Sequence, residues 1–173
     1  MISTEFKECL ADIYHGEIAG EIATDILLAN AEGAEQTYIL GTLLQFETEG
    51  KAILRPLLTR CGLDLYEDEE SRSNGRNLGE QMSALSWTDR FATLHELVSI
   101  KYLPRYEELA TLVSAEDDAE AARIANFMGD HERAFVEVAS NIANNSSNPA
   151  APITKLLHFP LPCVDPERSR GDG

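Results

Sequence analysis

The chain has 173 residues, enough for one domain with a sizeable core, and an ordinary globular composition of 43% hydrophobic and 25% charged residues. Its 30 acidic against 14 basic side chains leave a net charge of −16. That excess repels phosphate backbones and anionic membrane surfaces, which argues against nucleic acid and membrane as partners. The opening "MISTEFKECLADIYHGE" lacks the basic start and apolar core of a signal peptide, and no run approaches the ~20 apolar residues a membrane span needs. Cys9, Cys61 and Cys163 are odd in number and form no CxxC, so a reduced cytoplasmic setting is expected.

Four segments carry apolar residues at helical spacing. The first, about residues 4–30, has a principal stripe of Phe6, Leu10, Ile13, Glu17, Thr24 and Leu28 and a second stripe of Ile18, Ile22 and Ile26. Two apolar faces imply more than one packing neighbour, and a homodimer is one expectation. The second segment, about 34–61, ends at Gly62, which reads as the glycine just past a helix. Its Glu47 falls on the apolar stripe of Leu40, Leu43, Leu54 and Leu58, with Lys51 one turn on as a possible ion-pair partner.

Residues 62–85 read mostly as a crossover loop, with the solvated run "EDEE", the breaker "SRSNG" and at most one helical turn at "LGEQMSAL". A third helix starts at the capping-box-like "SWTD" and runs to about Val113 through Trp87, Phe91, Leu94, Val98, Tyr102, Tyr106 and Leu109. Pro104 predicts a kink or a local bulge within it. The fourth follows "SAEDDAEAA", with Ser114 as N-cap, along Ile124, Met128, His131, Phe135, Val138 and Ile142. Each helix would hold about 27 residues and span ~40 Å. Four long helices with short, long and short connections predict an all-α fold, an antiparallel four-helix bundle over residues 1–147 with a long crossover between the second and third helices. The remainder, 148–173, holds five prolines and reads as an extended tail in which "ITKLLHF" returns to the bundle and "ERSRGDG" is free.

The inward polar residues carry the chemistry. Glu17, Glu47 and His131 lie near the middles of their helices, and His95 shares the third helix's stripe; Glu and His at one depth are a ligand set for iron, manganese or zinc. Glu132 competes with its neighbour His131 for the inward position, and the third helix also offers Glu96 and Glu107. This arrangement resembles the ferritin-like superfamily, whose di-metal site takes Glu from the first and third helices and Glu-x-x-His from the second and fourth. The resemblance covers roughly residues 4–145 and implies oxidase or oxygenase chemistry on a small molecule at an iron site built from Glu17, Glu47 and His131, completed by Glu132, Glu107 or His95. The chain departs from that pattern at Gly50, where the second helix's His would stand, and at Met128, where the fourth helix's Glu would stand. A metal-free scaffold that binds a small molecule or dimerises is the alternative. Taken singly, His95 and His131 are ordinary core histidines, and Tyr102 and Tyr106 are ordinary core aromatics.

Overall fold

The computed structural model describes residues 2–162, and those residues form helices without a strand. Helix α1 spans Thr4–Ala29 and α2 Gly33–Cys61. Ser3 caps α1 by accepting from the Phe6 N–H, and Gly62 closes α2 in the left-handed conformation at φ 72°. The principal stripe read from α1 is buried from Phe6 through Glu17 to Thr24, while Leu28 is only half-buried.

The segment expected to be mostly loop is instead helix α3, Glu69–Ser83, and the supposed breaker "SRSNG" lies inside it. Asp68 supplies the cap, accepting from the Ser71 N–H at 2.8 Å and the Ser71 hydroxyl at 2.7 Å, with Glu69 and Glu70 in the first turn. The glycines that argued against a helix allow it to lie directly on α1. A β-carbon at Gly75 would come within 2.6 Å of the Ala19 carbonyl oxygen, and one at Gly79 within 3.0 Å of Ile26. The second apolar face of α1 is therefore covered by α3 of the same chain.

The third predicted helix is realised in pieces. Helix α4, Trp87–Leu97, passes through a π turn at Val98–Tyr102 into α5, Leu103–Thr111. The π turn directly precedes Pro104, which has no N–H to continue a regular ladder. Ser86 caps α4 as expected. Helix α6, Ala119–Ala143, starts later than predicted: Asp118 is its N-cap, and Ser114 caps only the preceding turn through the Asp117 N–H.

Helix α1 packs on α2, α3 and α5, while α6 packs on α4, α5 and α2. With these neighbours α6 buries a broad face that takes in adjacent residues such as His131 and Glu132. A short helix α7, Ala151–Thr154, brings Ile153 and Leu157 into the core. The chain after it is held by Glu49 of α2, which accepts from the N–H groups of His158 at 2.7 Å and Phe159 at 2.9 Å. Cys163 and the "ERSRGDG" end lie outside the described residues. Among the described residues, no helix is long and apolar enough to cross a membrane.

Candidate functional site

Helix periodicity places Glu17 on the face of α1 that meets α2, and Glu47 on the facing surface of α2. Two glycines make the room. A β-carbon at Gly50 would overlap Glu17 Oε2 and lie 2.7 Å from His131 Nε2; one at Gly20 would overlap the Glu47 carboxylate, 2.9 Å from its Cδ. Glu17 is fully buried, and Glu47, His131 and Glu132 are nearly so. The sequence posed His131 and Glu132 as competitors for the interior, but α6 buries a broad face and both are inside.

The His131 ring stacks on Phe46 with centroids 3.8 Å apart and planes 8° from parallel. Its Nε2 is 3.2 Å from the Phe46 carbonyl oxygen and 3.7 Å from Glu17 Oε2. A carbonyl can only accept, so that hydrogen bond puts the proton on Nε2 and leaves Nδ1 with the lone pair. Among the described residues Nδ1 has no hydrogen-bond partner, and neither has Glu17 Oε2. The other Glu17 oxygen accepts from the Tyr106 hydroxyl at 2.7 Å. Neither Glu47 nor Glu132 has a hydrogen bond or ion pair among the described residues.

Burial dominates the electrostatics. It pushes Glu17 well above the ordinary carboxylate range against the lowering effect of the Tyr106 hydrogen bond, with the charges of Glu132 and Glu21 adding to the rise. Burial raises Glu47 likewise, helped by Glu17 and Glu21, and raises Glu132, helped by Glu47. Tyr106 is driven upward by burial and by the three carboxylates it faces. Burial lowers His131 to about 4, so its ring is neutral. An uncompensated buried carboxylate costs several kcal/mol. Three together would rival the ~5–15 kcal/mol that holds a domain folded. The cluster is therefore either largely protonated or balanced by a cation.

Lys51 does not balance it. The expected i,i+4 pair with Glu47 is not formed; Lys51 turns instead to Glu21 and to Glu67, the latter at 2.6 Å. Those acids are partly hydrated, so pairing there avoids the desolvation that an ion pair with Glu47 would impose. Two other predicted ligands are elsewhere. Glu107 is exposed and ion-paired with Arg133 at 2.8 Å, because Tyr106 and Leu109 take the inward positions of α5. His95 is half-buried, because Leu94 beside it takes the inward position, and Glu96 is exposed. Tyr106, read as a packing aromatic, is the third-helix residue that reaches the cluster.

No protein-family model, curated protein or solved structure matches this chain.

Beside the cluster lies a cavity with room of about 60 Å³ for the centres of water-sized molecules. Glu47, Glu132 and Tyr106 line one end, and Leu27, Leu40, Met82 and Phe91 are among the residues lining the rest. Hard oxygen donors in the cluster suit Mn²⁺, Fe²⁺ or Mg²⁺. The oxygens of Glu17, Glu47 and Glu132 are of the donor type such an ion takes; His131 Nε2 carries the proton it donates to Phe46, so the lone pair on Nδ1 is the ring's only donor for a metal. Among the described residues, no group of three or more His, Cys, Asp or Glu side chains is arranged to hold a metal ion.

Proposed function

We propose that this protein is a ferritin-like, carboxylate-based metalloprotein that acts as an oxidase or oxygenase on a small molecule. In this reading α1, α2, the α4–α5 unit and α6 are the four long helices of the bundle, and α3 lies within its crossover. Glu17, Glu47 and Glu132 would hold the ion, with Tyr106 fixing the Glu17 carboxylate by its hydrogen bond. The observation that carries the reading is the burial of these three acids with no ion pair to a Lys or Arg among the described residues. A bound iron or manganese ion would supply one-electron chemistry and activation of O2. The chain's own contribution is to exclude water, orient the carboxylates and keep His131 neutral.

The test is stoichiometry. Metal-free protein titrated anaerobically with Fe(II) or Mn(II) should bind at least one ion per chain, with binding weakened at least tenfold in Glu47→Gln and Glu132→Gln. Absence of stoichiometric binding sinks the metal reading.

The alternative, a metal-free small-molecule-binding scaffold, is favoured by one observation. The ring nitrogen of His131 3.7 Å from Glu17, Nε2, is the one that donates to the Phe46 carbonyl and so has no lone pair for a metal, and the three acids can share protons instead. Under that reading Glu47→Gln changes stability and removes no metal-dependent property.

A further inference from the structure

The cavity beside the acidic cluster has a definite shape. On α1 it follows one stripe, Gly16, Ala19, Gly20, Ala23, Thr24 and Leu27. At 1.5 Å per residue, Gly16 to Leu27 covers about 16 Å. The room for the centres of water-sized molecules is only about 60 Å³ in all. The lining is long and the free volume small.

Its two ends differ chemically. Gly16 faces the Tyr106 hydroxyl, where a β-carbon would sit 3.0 Å from the oxygen, and Gly20 faces the Glu47 carboxylate. The acid end therefore lies at the level of residues 16–20. Beyond it, Ala23, Leu27, Leu40, Leu43, Met82 and Phe91 present almost nothing but hydrocarbon. Small residues alone would make only a packing groove. Here two carboxylates, 5% and 7% exposed and without hydrogen-bond partners among the described residues, line the same space.

We infer that this slot binds an unbranched aliphatic molecule with one oxygen-bearing head group, the head at Glu47, Glu132 and Tyr106 and the tail running along α1 toward Leu27. The choice of an oxygen head rests on the reading of the cluster as a cation site; the choice of a straight tail rests on the slot alone. From Gly20 to Leu27 is about 10 Å. At roughly 1.3 Å of advance per carbon–carbon bond, that accommodates a tail of about eight carbons.

The test uses the full chain and linear 1-alkanols from butan-1-ol to decan-1-ol, titrated calorimetrically into EDTA-treated and Mn(II)-loaded protein. Affinity should rise about fourfold per added CH2, the factor expected for burying a methylene. It should level off near C8, and cyclohexanol should bind at least tenfold more weakly than hexan-1-ol. Ala23→Leu should move the plateau to about four carbons, and Met82→Phe tests the opposite wall should that variant fail to fold. A flat length series, equal binding of cyclohexanol and hexan-1-ol, or a plateau unmoved by both substitutions overturns the inference. Mn(II) binding without a length series discards the slot and keeps the metal centre; a length series without Mn(II) binding keeps the slot and discards the metal centre.

Discussion

Gly50 and Glu17 are complementary: the carboxylate of one occupies the space that a side chain on the other would need. For the proposed ferritin-like reading the consequence is direct. No histidine can replace Gly50 while Glu17 and His131 stay where they are. Glycine here makes the interior carboxylate possible, so it is a compensating feature of the site as well as a departure from the Glu-x-x-His pattern.

Gly50→Ala should therefore destabilise the protein. Alanine gains up to ~1 kcal/mol of intrinsic helix preference over glycine, but overpacking a closed site costs about 1–3 kcal/mol. Glu17 is pinned by Tyr106 and His131 by its stack on Phe46, so neither retreats freely. Urea denaturation should show a net loss of up to about 2 kcal/mol. A gain in stability would mean that the Glu17 side chain is free to swing away.

Tyr106→Phe removes a buried hydrogen bond to an acid and should cost about 1.5–3 kcal/mol. The same substitution should loosen Mn(II) binding if Glu17 is a ligand, since the bond fixes the orientation of that carboxylate. Wild-type stability in the phenylalanine variant would show that Glu17 finds another donor.

Stability of the metal-free protein should depend on pH in two opposed ways. Glu17, Glu47 and Glu132 bind protons more tightly folded than unfolded, so their contribution is lost as pH rises above the ordinary carboxylate value of 4.5 toward their raised folded values. His131, about 4 when folded against 6.5, contributes fully above pH 6.5 and its share is lost as pH falls toward 4. Between pH 4.5 and 6.5 three acids lose stability against one histidine that gains it, so the melting temperature in EDTA should peak close to the ordinary carboxylate value of 4.5 and decline on both sides. Glu47→Gln should flatten the alkaline side by about 1–3 kcal/mol. Saturating Mn(II) should reverse the alkaline slope, because ligands must deprotonate to bind. An alkaline limb as flat in the wild type as in Glu47→Gln would contradict the burial argument.

Glu49→Gln should release the chain after α7 without disturbing the acidic cluster. Burial works against the Glu49 charge, but hydrogen bonds from His158, Gln45 and Phe159 outweigh it and hold the acid below its usual value. Hydrogen exchange at the amides of His158 and Phe159 should quicken at least tenfold, while α6 stays protected. The tether should also weaken in the wild type as pH falls below 4.5 toward the lowered folded value.

Residue pattern along the chain determined the four long apolar segments, the Gly62 stop, the irregularity before Pro104 and the burial of Glu17, Glu47 and His131. Each follows from local rules: a period of 3.6, a missing N–H, or a left-handed terminal residue. What the sequence alone left open were contacts between segments. Gly75 and Gly79 disfavour a helix in isolation, and only the surface of α1 converts their lost side chains into close packing. Lys51 is one turn from Glu47, yet it pairs with Glu21 and Glu67 because tertiary structure offers it partly hydrated partners. Tyr106 rather than His95 or Glu107 reaches the cluster, because helical phase along α4, the π turn and α5 is fixed by packing against α6 and α1. Periodicity decides which face is inward; only the fold decides which inward groups meet.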